Sequence, residues 1–499
     1  MTGQIALGLV MLVAMVSVIF VGFPISFTLI IIALGFGWAG LGDSVFDLAY
    51  LQTLGMMKTE ELVAIPLFIF MGFLTEQAGL MERLFKAFRD LLAPVRGSLY
   101  LGVILTATVF AMATGIVGAA VTVLGIMAGP IMIKSGYDAR MASGAIAAGG
   151  TLGILIPPSV MLIVMGPVLG VSVTDLYAAA FGPGLLLAAM YIVYTLVRSF
   201  INPKLGPPVP LDERQASRLV VLKEVFLGMV PLGLLITCTL GSILMGYATP
   251  TEAASVGAVG AFVLAVAYGK FTFAGLKSAC ISTMNTSSMV LFLAVASNIF
   301  GAVFARLGTA QWITDTLLSL PLPPFMMLLL VLFLIFLLGW PFEWPAIILV
   351  FLPIFYPVVA ALKYDLVWFG ALVAVVMQTA YLSPPVAMSA YYLKQVVPSW
   401  TLGTIYRGMF DFMWIQVICI LTVFFVPQIA MWLPTVLAEQ ARAERMAPPS
   451  LEQQKEEEGM MKGGSLEEDY KADPAPEADA DKEKAPGEAK GKDGPAHAK

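Results

Sequence analysis

The chain is 499 residues long, 59% hydrophobic and only 12% charged, with a mean hydropathy of +0.88, a balance that excludes a water-soluble globular protein and marks an integral membrane protein. The net charge of −5 does not bear on a site: 16 acidic and 10 basic residues follow from Glu439 onward, against 17 and 18 before it. Alternating ten-residue strands are absent and many apolar windows exceed the roughly 18 residues needed to span a bilayer, so the expected fold class is all-α and polytopic.

In chain order, the first apolar segment lacks the positive flank and cleavage site of a signal peptide and is read as a retained span. Three spans are expected before residue 98, the last followed by "MERLFKAFRDLLAPVRG". There Arg83, Lys86, Arg89 and Arg96 are interleaved with Leu84, Phe85, Phe88, Leu91 and Leu92, the pattern of a helix lying along the inner interface. Residues 98–133 offer two apolar legs around "ATGIVGAA" (113–120), and residues 323–361 two more around "GWPFEWP" (339–345). Both pairs are expected to be re-entrant helical hairpins. With neither crossing, 15 of the 18 basic residues fall on one side and Lys58, Arg306 and Lys363 on the other, which orients the first side to the cytoplasm. The order is then three spans, a hairpin and two spans, repeated once upside down: an inverted repeat of about 10 transmembrane helices plus two hairpins, with both termini outside.

Each hairpin precedes a span with a break. "TLGILIPPSVM" begins at Thr151 and "TAYLSPPVAM" at Thr379; both close on Pro-Pro-x-x-Met, at Pro157, Pro158, Met161 and at Pro384, Pro385, Met388. The offset of 227 residues also carries the first hairpin onto the second. Inverted repeats with interrupted helices in matching places point to a secondary transporter with a midplane site. Backbone groups released by such breaks are tolerated at membrane depth only inside protein or along a wet cavity. Carbonyls and hydroxyls suit a monovalent cation, and helix N-termini suit an anion. The first candidate sodium site comprises Thr114, Gly115, Gly149, Gly150, Thr151 and Gly153. Its pseudo-symmetric counterpart comprises Gly339, Trp340, Gln378, Thr379, Ser383 and Pro384. Close helix packing is the alternative use of each glycine. A bulky apolar residue at Gly150 or Thr151 is expected to abolish sodium-dependent uptake while leaving the protein folded.

Glu343, among Pro341, Phe342 and Pro345 at the second tip, has three open roles: pairing with a cation, accepting backbone N–H bonds, or exposure outside. Glu252 reads as the third helical residue after an N-cap at Thr249, with Pro250 at the first position. Cys238, Cys280 and Cys419 lie in apolar segments without CxxC spacing and read as small core residues. The single histidine, His497, stands in the tail, so the membrane block has no His-based zinc site or Ser-His dyad. No phosphate-binding loop, EF-hand, HExxH or dinucleotide fingerprint occurs, and no second intramembrane acid stands near Glu343, so the chain is not expected to be an enzyme, to hold a cofactor or to bind nucleic acid. Energy must come from an ion gradient or a partner. From residue 438 the charged tail buries too little apolar area to offset its chain entropy and is expected to be disordered.

At "ATGIVGAAVTVLGIMAGPIMIKSGYDARMASGAIAAGGTLGILIPPSVMLIVMG", "GYATPTEAASVGAVGA" and "MQTAYLSPPVAMSAYYLK" the sequence resembles the large membrane (permease) subunit of tripartite ATP-independent periplasmic (TRAP) transporters of the C4-dicarboxylate permease type. The resemblance implies a sodium-coupled importer of a small organic acid in the bacterial inner membrane, working by an elevator mechanism, with sodium ions as coupling ions. It further implies two partners, a periplasmic substrate-binding protein and a separate small four-helix membrane subunit. By analogy, residues 1–97 are scaffold helices and an interfacial arm, and residues 98–172 the first hairpin and broken helix of a transport domain. Residues 173–322 are scaffold with a second arm, 323–394 the second hairpin and broken helix, 395–437 a last scaffold helix, and 438–499 the charged tail. A self-sufficient ion-coupled organic anion carrier of related architecture is the alternative. Substrate-binding residues are not legible.

Overall fold

The computed structural model describes residues 3–115, 117–209, 218–384 and 387–446. They form helices without a strand among them. The first half runs α1 (Gly3–Phe20), α2 (Ile25–Leu41), α3 (Ser44–Met57), α4 (Ala64–Gln77), α5 (Leu80–Leu91), α6 (Ser98–Thr114), α7 (Val117–Lys134), α8 (Ala139–Thr151), α9 (Val160–Leu169) and α10 (Val173–Ile201). The second runs α11 (Arg218–Ile236, extended through a π turn to Leu244), α12 (Pro250–Ala267), α13 (Phe273–Arg306), α14 (Thr309–Leu318), α15 (Pro324–Leu338), α16 (Trp344–Ala361), α17 (Leu366–Leu382), α18 (Met388–Val396), α19 (Leu402–Phe425) and α20 (Gln428–Met446).

The duplication is visible in these bounds. Shifted by the 227 residues that separate Pro157 from Pro384, both ends of α7 fall on those of α16, the start of α8 on that of α17, and the end of α9 on that of α18. One element departs: α13 is an unbroken helix of 34 residues where the first half has α3, a 3-10 turn at Glu60–Val63 and α4. Among the described residues, eight helices are long and apolar enough to cross a membrane. Two of these, α7 and α16, are hairpin legs; adding α2, α4 and the broken spans α8–α9 and α17–α18 to the others leaves the ten crossings and two hairpins expected.

Local chemistry sets the breaks. Helix α8 tightens into a 3-10 turn at Leu152–Ile154 because the paired prolines beyond it lack N–H donors and cannot continue the ladder; α9 restarts after extended Ser159, φ −126°. In the second half α17 ends at extended Ser383, ψ 126°, and α18 begins at Met388; Pro385 lies outside the described residues. The start of α12 is a capping box, with Thr249 N donating to Glu252 Oε2 at 2.8 Å and Glu252 N to Thr249 Oγ1 at 3.3 Å.

Three expectations are corrected. Residues 395–437 hold not one helix but two, α19 and the start of α20. Helix α20 also continues to Met446, past the predicted disorder boundary, because "LAEQARAERM" consists of good helix formers; residues 447–499 lie outside the described residues. Of the cysteines only Cys419 is core, whereas Cys238 and Cys280 are exposed on α11's π turn and on α13. The arm α5, bent by 57° from the preceding helix, buries Leu84, Phe85 and Phe88 against α6 and α11 and leaves only Leu91 of that set exposed. Protein therefore covers most of its apolar face, and Arg83 pairs with Glu224 of α11 at 2.7 Å.

Two sets of helix contacts stand out. In one, α12 lies against α4, α13 against α2, α3 and α4, and α11 against α5. In the other, α8 lies against α6 and α7, while α19 runs along α8 and α17, and α10 along α6 and α17. The α8–α19 contact is backbone on backbone: a Cβ on Gly144 would sit 2.7 Å from the Gly408 carbonyl oxygen, and one on Gly408 would overlap that of Arg140. Polar links tie α19 to its other neighbours, with Gln416 Nε2 donating to Tyr191 Oη of α10 at 2.9 Å and Trp368 Nε1 of α17 to the Val423 carbonyl at 3.2 Å.

Candidate functional site

At the first tip, α6 ends on Gly115 with φ 61°, a left-handed turn that glycine adopts without Cβ strain. A Cβ there would lie 3.4 Å from the Pro158 carbonyl oxygen and 3.7 Å from that of Gly153, so the tip backbone rests on the broken span. Of the first candidate set, Gly115 and Gly153 are thus brought together, with Thr114 ending α6 beside them. Hydroxyls hold the break in shape: Ser159 Oγ donates to the Ile154 carbonyl at 2.5 Å and Thr151 Oγ1 to that of Ala148 at 2.8 Å. Gly149 and Gly150 lie within α8, and the Gly149 carbonyl already accepts from Leu152 N–H. A Cβ on Gly149 would meet Ala107 Cβ at 3.2 Å, and one on Gly150 would meet Val121 N at 3.0 Å. These two glycines let α6 and α7 approach α8. A bulky residue at 150 would therefore press on α7 backbone, which weighs against the expectation that such a variant stays folded.

The second set divides differently. A Cβ on Gly339 would lie 3.0 Å from Ala380 Cβ, so this tip rests on α17 beside Thr379, whose Oγ1 donates to the Val376 carbonyl at 2.6 Å. Gln378 is fully buried, and among the described residues neither its Oε1 nor its Nε2 has a hydrogen-bond partner; Ser383 Oγ is likewise buried and without a partner among them. Buried polar groups are normally paired, and each exception calls for a ligand, a water or a functional reason. Trp340 and Pro384 are exposed; the Trp340 ring stands edge-on to Phe336.

Both tips and both breaks meet at one cavity of about 240 Å³. Gly115, Val117 and Gly118 line it from the first hairpin, Glu343, Trp344 and Pro345 from the second, Ile154 and Val160 from the first broken span, and Tyr381 and Tyr392 from the second. The far wall is Thr286, Met289 and Val290 of α13, with Ile69 of α4. Helices α7, α9 and α16 all begin here, so three N-termini with their partial positive charge border the space. Glu343 holds the N-cap position of α16 but its side chain makes no capping hydrogen bond, which removes one of its three open roles; its carboxylate forms part of the cavity wall. Tyr392 packs its ring on Gly118, 3.1 Å from where a Cβ would stand.

Sequence reasoning did not single out Tyr381, Tyr392, Gly118 or Thr286. The tyrosines stand in the quoted "MQTAYLSPPVAMSAYYLK", and Thr286 in a polar run within an apolar helix, but only the packing of distant segments turns them toward one space.

Comparison with known proteins agrees with this geometry. Residues 12–429 match the family model described as tripartite ATP-independent periplasmic transporter, DctM component. The chain is 31% identical over 425 residues to the large permease protein of the sialic acid TRAP transporter of Vibrio cholerae serotype O1, covering 84% of this chain and 96% of that one. It is 31% identical over 401 residues to the large permease protein of the C4-dicarboxylate TRAP transporter of Pseudomonas aeruginosa, covering 79% and 91%. The crystal structure of the YdaH transporter of Alcanivorax borkumensis shares the fold at 16% identity, with a TM-score of 0.57 over 79% of this chain and 88% of that one. With hairpins, broken spans and nearly the whole membrane block accounted for, the chain belongs to the DctM-component family, the large permease subunits of tripartite ATP-independent periplasmic transporters.

Proposed function

We propose that this permease carries a small organic acid across the bacterial inner membrane by sodium-coupled elevator movement, receiving it from a periplasmic binding protein. Family membership makes the chain a secondary-transport permease that works with such a protein and with a small membrane subunit. The observation that carries the finer reading is the single cavity at which both hairpin tips, both broken spans and three helix N-termini converge. Those N-termini favour a cargo carboxylate. The contact of Gly115 with the Gly153 and Pro158 carbonyls, and the unpartnered Gln378 and Ser383, offer oxygen ligands for sodium on either side. A cation bound at a tip lowers the cost of placing an anion beside it, and by linkage each raises the affinity for the other.

The moving body in this reading comprises α6–α10 and α15–α19, because α10 and α19 pack along the broken spans. It therefore extends beyond 98–172 and 323–394 into segments first assigned to the scaffold. Helices α1–α5 and α11–α14 are the fixed part.

Proteoliposomes holding the chain and its small subunit, supplied with the binding protein, test the proposal. Uptake driven by an inward sodium gradient, and lost when choline replaces sodium, is expected. Transport by the chain alone, indifferent to the binding protein, would refute it in favour of a self-sufficient carrier.

A further inference from the structure

We infer that the cavity wall facing the hairpin tips is a second recognition surface for cargo, formed by hydroxyls at the middle of α13 with Thr286 as the contact; the inference rests on the transport reading above. The polar residues of α13 cluster at "STMNTSSM", residues 282–289. Helical phase puts Thr283, Thr286, Ser287 and Val290 on one face, and Thr286 and Val290 line the cavity. Thr283 and Ser287 are 8% and 5% exposed, and neither hydroxyl has a hydrogen-bond partner among the described residues.

Most buried helical hydroxyls in this chain behave otherwise. Thr75, Thr108, Thr195 and Thr239 each donate to the carbonyl one turn back. An unpartnered buried hydroxyl is destabilising unless water or a ligand supplies the missing bond, and the cavity borders the face on which these two stand.

The chemistry of the two walls differs. On the tip side, helix N-termini receive a carboxylate; on the α13 side the lining is the Thr286 hydroxyl with Met289, Val290 and Ile69, and it holds no cation. A second carboxylate has no positive partner on that wall, whereas a hydroxyl, keto or amide group finds donors and acceptors. The substrate class is therefore an organic acid bearing a neutral polar substituent opposite its carboxylate. Because α13 packs mainly on α2, α3 and α4 and meets the hairpin body only along α16, the wall would meet cargo at one depth of the elevator only.

The test is counterflow in proteoliposomes with succinate, sialic acid and gluconate as probes. Thr286→Val, which keeps the side chain's shape and removes its donor, should raise the half-saturating concentration of the hydroxylated probes about tenfold, the effect of one lost hydrogen bond. The maximal rate should change little, Thr286→Ser should restore affinity, and Asn285→Ala, exposed on the same helix, should behave as wild type. In a background with Cys238, Cys280 and Cys419 replaced by serine, a water-soluble thiol reagent should label Thr286→Cys, and saturating probe should protect it. Unchanged half-saturation in Thr286→Val, or labelling of Thr286→Cys that no transported probe reduces, overturns the inference. Absence of sodium-driven transport by the wild-type assembly overturns instead the reading on which it rests.

Discussion

Gln378 shows most sharply how a single residue is placed at odds with its surroundings. A fully buried amide with neither end bonded costs roughly 1–3 kcal/mol for each orphaned group, and replacing such a group by an apolar one of similar volume is close to neutral. Gln378→Met should therefore melt at the same or a higher temperature than wild type in choline chloride, and should not gain the stabilisation in sodium chloride that the proposed sodium coupling predicts for wild type. Thermal melts of the purified protein in the two salts check both halves. At the first break, Gly150→Leu places side-chain atoms against Val121 backbone, an overpacking error of about 1–3 kcal/mol or more, and should appear as a loss of folded protein in size-exclusion profiles. Thr151→Val gives up only the bond to the Ala148 carbonyl and should remain folded, so it is the better probe of sodium dependence by uptake assay. The sequence could not separate these neighbours, because Val121 lies nearly thirty residues away along the chain and only the packing of α7 on α8 brings it there.

At the scale of elements, the Gly-Tyr-Asp string at 136–138 acts as an anchor for the first hairpin. Asp138 caps α8 by accepting from Met141 N–H at 2.8 Å, and Tyr137 Oη accepts from Leu99 N–H at 3.3 Å, joining the base of α6 to the turn after α7. Tyr100 Oη donates to the Leu205 carbonyl at 2.6 Å, while Asp138 N donates to that same carbonyl at 3.1 Å, tying in the loop after α10. Asp138→Ala should destabilise the protein by about 1 kcal/mol through the lost cap, and Asp138→Asn should retain most of it. A drop in melting temperature for the first and not the second is the expected result. Elements were largely legible because their causes are local: the capping box at Thr249 and Glu252, the glycine tip at 115 and the proline breaks all act within a few residues. Where the cause was not local the element was missed, as with α20, whose helix formers run on beneath a compositional boundary.

For the whole molecule, the internal offset and the odd number of crossings between the two halves make the hairpins enter from opposite faces. A cysteine at Ser135, after α7, should be labelled from the cytoplasmic side of oriented vesicles, and one at Tyr364, after α16, from the outer side; labelling of both from one face would remove the inverted repeat. The sequence by itself determined the membrane class, the helical content, the two hairpins and the two breaks, since hydropathy and helix-breaking chemistry are properties of short segments. Only the tertiary structure decided that α10 and α19 pack with the broken spans, that Gly149 and Gly150 stand against Ala107 and Val121, and that Glu343, Tyr381, Tyr392 and Thr286 share one cavity. Those relations join residues up to several hundred positions apart, and in an apolar chain many helix faces look alike, so only the fit of small residues between particular helices selects which of them meet.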